Sequence, residues 1–361
     1  MSRAGGGPDG RATDGDAVGR DRGAEISRSI VVERPRHHRL VHGAVPEPGP
    51  GEVLVRVAAA GICRSDREVY DGRRDAGYVH YPVVPGHEWS GTVAAVGAGV
   101  DPALMGRKTV AEGFRACRAC ERCRTGETSL CTGGYAETGF TEPGGFADHL
   151  TLPAQLLHPL PDDADLRAAA LLEPAAVVAA AVRAGRPRPG ERIAVVGAGT
   201  LGLLAVQLLA AAEPAELVVV EPRSGRRAQA LRFDATAVCT PEQAAQRNGC
   251  FDLVVETAGA RSTAASSCLL ARRGGRVVLT GMFPPGAAGI DPVHLSLSQL
   301  EIRSIFGAPS SAWLYAVRAF SRGQLDPAPL ITHEFPLEGF AEAIALVGDG
   351  DPGTGKVLLR P

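Results

Sequence analysis

Four of the eight cysteines in this 361-residue chain fall within fifteen residues, as Cys117-x2-Cys120-x2-Cys123-x7-Cys131. Thiolates at such spacings can close a tetrahedron around Zn²⁺ and leave no open position, so the predicted site is structural. A disulfide framework is the competing chemistry, but no secretory leader is visible, and clustered cysteines in a cytoplasmic protein read as metal ligands. A zinc-ribbon nucleic-acid module fits poorly, because no basic domain surrounds the cluster. Ligand-type side chains recur more sparsely in Gly61-Ile-Cys63-Arg64-Ser65-Asp66, in Gly86-His87-Glu88-Trp-Ser-Gly91 and in Leu172-Glu173-Pro174. Taken singly these are ordinary, since a lone buried Cys or His is usually core.

A third chemistry is written in Ile193-Ala-Val-Val-Gly197-Ala-Gly199-Thr200-Leu201-Gly202, a G-x-G-x-x-G after an apolar strand and opening an apolar helix. The first glycine permits the tight turn, the second lets backbone approach a pyrophosphate, and the third allows close helix–strand packing. The helix N-terminus adds unpaired N–H groups. Glu221 follows nineteen residues after Gly202, at a strand end. A carboxylate there accepts from the ribose hydroxyls and repels a 2′-phosphate, which favours NAD. Arg223 and Arg226 lie close enough to leave NADP open.

The elements that must position these groups fall into two textures. Residues 1–27 carry hardly an aliphatic side chain and are expected to be disordered, with the fold beginning near Ser29. To about Leu160 come short β-like runs at Glu52–Ala58, Gly91–Val96, Thr109–Ala111 and Phe146–Thr151. An apolar helix follows, Leu166–Ala184. Strands Arg192–Val196, Leu217–Val220, Phe251–Val255 and Arg276–Thr280 then alternate with helices Leu201–Ala212, Arg226–Phe233 and Thr263–Ala271. Such alternation predicts a parallel sheet covered by helices. The closing strands His333–Phe335 and Lys356–Leu359, with helix Phe340–Val347, are expected to return to the first domain. The predicted division is 28–185 with 320–361, and 186–319. With 45% hydrophobic residues, 22% charged and a net charge of −2, the chain fits two ordinary cores and argues against a nucleic-acid binder. No apolar run approaches the ~20 residues of a membrane span, so a soluble cytoplasmic protein is expected.

In this order, from about Ser29 onward, the motifs resemble the zinc-dependent medium-chain dehydrogenases, the family of alcohol, polyol and threonine dehydrogenases. Phe251–Gly259, Gly274–Gly281 and Leu330-Ile-Thr-His333 extend the likeness. The resemblance implies a GroES-like, mostly-β catalytic domain and a Rossmann doubly wound cofactor domain. It implies two zinc ions per subunit, NAD or NADP, and a homo-oligomer, dimer or tetramer, with no nucleic-acid or membrane partner. By the same likeness Cys63, His87 and Glu173 would bind the catalytic zinc, with Glu88 beside it as an outer or exchanging ligand. Asp66 would fix the His87 tautomer. Ser65 would take the substrate hydroxyl proton, and Arg64 would contact the cofactor pyrophosphate. Thr200 and Leu201 would line the cofactor turn. Many relatives carry His five residues after the first ligand Cys, where this chain has Glu68, so the proton route beyond Ser65 departs from the pattern.

The implied reaction is interconversion of a secondary alcohol and a ketone by hydride transfer. Tyr81–Gly91, Thr138-Gly-Phe140-Thr and Glu221-Pro-x4-Arg227 are similar to members that oxidise aminocyclitols such as 2-deoxy-scyllo-inosamine in aminoglycoside assembly. The segment Tyr70–Tyr81, with Asp71, Arg73, Arg74 and Asp75, is placed by the likeness at the substrate cleft and would suit a polyhydroxylated or amino substrate. A threonine- or sorbitol-type enzyme is the alternative, as is a phosphonate-pathway relative, suggested by Gly281–Pro292. A catalytically silent nucleotide binder is the non-enzyme alternative, against which stands the presence of all three ligand residues.

Overall fold

The computed structural model describes residues 26–348 and 353–361, and the statements that follow concern these residues. Parallel strands dominated by Val, Ile and Leu form a six-stranded sheet. Its order is Ala237–Cys239, Glu216–Val220, Arg192–Val196, Phe251–Glu256, Ala271–Leu279 and Glu301–Ser304. Counted from Arg192, that order is 3-2-1-4-5-6, the doubly wound arrangement in which sequence order reverses between Arg192–Val196 and Phe251–Glu256. Ligands of such sheets bind in the crevice outside the carboxyl ends of those two strands.

A second, mostly antiparallel sheet of seven strands is built around Glu52–Ile62, which pairs with Glu88–Val96, His149–Pro153 and the returning strand Lys356–Arg360. Ile331–Pro336 adds to the edge of that last strand. Helix Leu172–Gly185 packs its buried Ala175, Ala176, Ala179 and Val182 into a core shared with Ile193, Leu204, Leu253 and Trp313, on the side of the parallel sheet.

Two sequence expectations are corrected here, and one element is added. Ile26 and Ser27 belong to strand Ile26–Arg34, which pairs with His37–Ala44, while residues 1–25 of the expected disordered tail lie outside the described residues. Arginines and histidines on the exposed face of that hairpin mask its alternation, which surfaces only in buried Ile30 and Val32. The single helix expected over 166–184 is two, Leu166–Ala169 and Leu172–Gly185. Pro174 has no N–H to give to residue 170 and its ring opposes a continuous helix there. The break places Glu173 in the first turn of the new helix. Helix Ser310–Ser321 was not anticipated, although Ala312, Trp313, Ala316 and Val317 form its buried stripe at helical spacing.

Candidate active site

Gly197 leaves strand Arg192–Val196 at φ +103°, in the region that favours glycine. A Cβ on Gly202 would stand 2.0 Å from the Gly197 carbonyl oxygen, so this glycine lets helix Thr200–Ala210 seat on its strand. At Gly199 a Cβ would meet only Arg226 Nη1, at 3.6 Å. The space kept clear there opens on a cavity of about 510 Å³ and lies at the helix N-terminus, which fits the pyrophosphate of a dinucleotide. Gly197, Thr200 and Leu201 line the same cavity, whereas Gly202 stands behind them.

Glu221 is buried at the end of strand Glu216–Val220. It accepts from Ala198 N at 2.9 Å and from Arg223 Nε at 2.7 Å. Burial pushes its carboxyl up, but Arg223 and these backbone N–H groups outweigh burial and hold it below its ordinary value. Arg226 donates to Thr354 O at 3.0 Å and so ties the glycine-rich turn to the C-terminal segment. Both arginines are held by protein partners rather than standing in solvent.

Cys63 ends strand Glu52–Ile62 and caps helix Arg64–Asp71, its N–H donating to Asp66 Oδ2 at 2.7 Å. Asp66, itself buried, places Oδ1 3.3 Å from His87 Nδ1 and turns Nε2 of that ring toward Ser65 Oγ, 3.4 Å away. Cys63 Sγ, a His87 ring nitrogen and a Glu88 carboxylate oxygen lie within 4.8 Å of one another. Glu88 is committed elsewhere, however: both its oxygens accept from Lys356 Nζ, at 2.6 and 2.8 Å, in a buried ion pair. Glu173 stands outside that tight group but lines the same cavity. Burial pushes its carboxyl up to about 8, Glu88 and Glu137 adding to the effect and His87 and Lys356 opposing it. A thiol and several carboxylates thus share one buried site with few cations, and a divalent metal is the species such a donor set suits.

Arg64 is largely exposed, 3.6 Å from Glu68, and both line the cavity. Of the four charged residues singled out in Tyr70–Tyr81, Arg74 alone reaches the cavity wall. Asp71 instead pairs with Arg67 and Arg73, at 3.0 and 2.9 Å. Sequence reasoning missed Lys356, Tyr135 and Glu137. Lys356 had a signal, since it is one of only two lysines in the chain.

The four cysteines 117, 120, 123 and 131 converge, their sulfurs within 4.8 Å of one another. Backbone N–H groups point at them, Cys117 N at Cys131 Sγ (3.3 Å) and Cys120 N at Cys117 Sγ (3.4 Å). Such donors stabilise thiolates, and hydrogen bonding from Thr132 and Cys123 brings Cys120 down to about 5. The cluster fits a closed tetrathiolate site. Arg118, inside the loop, donates to buried Glu112 at 3.0 Å. Ser310 of helix Ser310–Ser321 also donates to Glu112, at 2.9 Å.

A dinucleotide crevice and a donor set for a metal with an accessible side, opening on one cavity, define a metal-assisted nicotinamide oxidoreductase. Residues 49–162 match the alcohol dehydrogenase GroES-like domain and residues 200–322 the zinc-binding dehydrogenase domain. The chain is 32% identical to the L-threonine 3-dehydrogenase of Bacillus subtilis, over 89% of this chain and 94% of that one. It is 32% identical to the sorbitol dehydrogenase of Gallus gallus, over 92% and 96%. The NADH complex of the rspB alcohol dehydrogenase from Escherichia coli CFT073 superposes with a TM-score of 0.86 at 28% identity, covering 93% of this chain and 99% of that one. The chain belongs to the zinc-binding medium-chain dehydrogenase family, with its GroES-like and Rossmann domains, and is a zinc- and NAD(P)-dependent alcohol dehydrogenase.

Proposed function

We propose that the chain oxidises a ring or chain secondary alcohol on a polyhydroxylated or amino-bearing skeleton, with an aminocyclitol such as 2-deoxy-scyllo-inosamine as the particular substrate. The observation that carries the class is the cavity wall. Beside the ligand cluster it presents Glu68, Arg74 and Glu137 where a plain aliphatic alcohol would call for apolar side chains. The threonine and sorbitol dehydrogenase relatives supply the second reading, an open-chain polyol or amino acid.

In this reading Cys63, His87 and Glu173 hold the catalytic zinc and Cys117, Cys120, Cys123 and Cys131 the structural one. When bound, the metal and the nicotinamide supply Lewis-acid polarisation of the substrate oxygen and a hydride acceptor. The chain's own residues handle the proton. Ser65 Oγ takes the hydroxyl proton as it passes its own onward, and Glu68, a few residues along the same helix and open to the cavity, carries it to solvent. The alcohol becomes a ketone, NAD(P)⁺ becomes NAD(P)H, and one proton leaves. Gly199 and Arg64 receive the pyrophosphate, and Glu221 at the adenosine end favours NAD over NADP. The division of the chain at 28–185 with 320–361 and at 186–319, a cytoplasmic location and a homo-oligomer belong to the same proposal.

The test is the initial rate of NAD⁺ reduction on 2-deoxy-scyllo-inosamine, myo-inositol, sorbitol and L-threonine by zinc-loaded protein. Selectivity for the aminocyclitol supports the full reading. Preference for sorbitol or threonine removes the cyclitol and keeps the alcohol chemistry.

A further inference from the structure

One carboxylate in the cavity has no part in the ligand cluster or in proton transfer. Glu137 is 6% exposed and lines the cavity, yet among the described residues its Oε1 accepts no hydrogen bond. Its other oxygen accepts from the Tyr135 hydroxyl and stands 3.7 Å from Arg74 Nη2. Arg74 is held in place by three contacts. Its Nε donates to the Tyr78 carbonyl and its Nη2 to the Tyr135 hydroxyl, both at 2.9 Å, and its guanidinium lies 3.7 Å over the Phe140 ring. The chain from Arg74 through Tyr135 to Glu137 therefore fixes one oxygen and leaves the other, in a residue of the cavity wall, without a hydrogen bond.

We propose that Glu137 is a specificity residue that receives, on Oε1, a protonated amine carried by the substrate beside the reacting alcohol. The inference rests on the reading of this site as a secondary alcohol dehydrogenase and narrows its substrates to amino alcohols. Phe140 lies against His87 (ring centroids 4.7 Å apart, planes tilted by 37°) and under the Arg74 guanidinium, so Arg74 stands across one ring from the ligand histidine, with Glu137 Oε2 3.7 Å from its Nη2. That reach suits a small ring or short chain. Phe114 and Phe306, with centroids 5.8 Å apart, line the cavity too, and aromatic rings attract cations. Burial pushes the Glu137 carboxyl up, against the opposing influence of His87, Tyr135 and Arg74, while Asp66 adds to it. A neighbouring ammonium favours the ionised carboxylate and so offsets the cost of burying it. A neutral hydroxyl does not.

The experiment compares wild-type enzyme with Glu137→Gln and Glu137→Asp at neutral pH on trans-2-aminocyclohexanol, trans-1,2-cyclohexanediol and cyclohexanol. Wild type is expected to favour the amino alcohol over the diol by about tenfold or more in kcat/KM, the scale of a charge-assisted hydrogen bond. Glu137→Gln is expected to erase that ratio chiefly through KM, and Glu137→Asp to restore part of it. Equal losses on all three alcohols in Glu137→Gln would reduce Glu137 to a structural residue and overturn the proposal. So would a wild type that favours sorbitol 6-phosphate over the amine, since Arg74 would then be the recognising group. If wild type oxidises none of the alcohols, the dehydrogenase reading fails separately, and Glu137 is judged by calorimetric binding of cyclohexylammonium. Weakening by tenfold or more in Glu137→Gln upholds the amine site, and equal affinity ends it.

Discussion

The two metal regions of the molecule solve the same coordination problem in opposite ways. The four-cysteine lobe draws its ligands from one stretch of fifteen residues near the surface, oriented by the backbone N–H groups of that same stretch. The cluster at Cys63 and His87 mixes thiol, imidazole and carboxylate and depends on partners from two different elements: Asp66 of helix Arg64–Asp71 for the histidine, and Lys356 of the closing strand for Glu88. A local, self-contained set of thiolates is suited to close around an ion and hold a loop. A set gathered from across the chain borders a cavity and would leave a metal held there accessible from it. The difference predicts that loss of a ligand side chain registers in stability in the first region and in turnover in the second.

The sharpest test is His87→Ala. It should lower kcat/KM by at least about a thousandfold, the scale of losing a catalytic metal, and bring zinc content from two ions per chain toward one while the thermal midpoint barely moves. Initial rates, elemental analysis and thermal unfolding read all three, and retention of activity within tenfold would break the distinction. Lys356→Met should cost about 3–5 kcal/mol in urea unfolding, because it strands Glu88 as an unpaired buried charge. The double variant with Glu88→Leu should recover much of that. Cys120→Ser should also lose one zinc and about 2–3 kcal/mol of stability, since metal binding at a closed site is folding energy, with turnover of the folded fraction kept within tenfold. The smallest effect is expected from Arg118→Ala. It frees the lobe from Glu112 and should cost about 1 kcal/mol, less than a fully buried hydrogen bond to a charged group because Arg118 is partly exposed, without loss of either zinc.

What could be read from the chain follows the same division. Cys117 to Cys131 and Gly197 to Gly202 declare themselves because every residue they need lies within a few positions, so spacing alone encodes geometry. Most strands and helices of the parallel sheet were legible for the same reason, as periodicity is a local property. Cys63, His87 and Glu173 gained meaning only from the order of motifs around them, since the pairing of Glu52–Ile62 with Glu88–Val96 brings the first two together and helix Leu172–Gly185 carries Glu173 to the same cavity. Glu137 gave no signal at all. Its significance comes from Tyr135, Arg74 and Phe140 closing around it, and Arg74 lies sixty-three positions earlier in the chain. The break at Pro174 is encoded in the sequence, but the strong apolar run on either side of it hides it.

The ion pair of Glu88 and Lys356 has a consequence in time. Its members are 268 positions apart, and the strand that bears Lys356 docks antiparallel on Glu52–Ile62. Contacts of such separation form late in folding, because a long loop must close before they repay its entropy. The cysteine lobe can capture its ion as soon as its own short stretch has collapsed. Without that strand, Glu88 would be an unpaired carboxylate beside Cys63 and His87. Docking of Lys356–Arg360 brings Lys356 Nζ onto both Glu88 oxygens, so which groups stand free beside Cys63 and His87 depends on a contact made from 268 positions away.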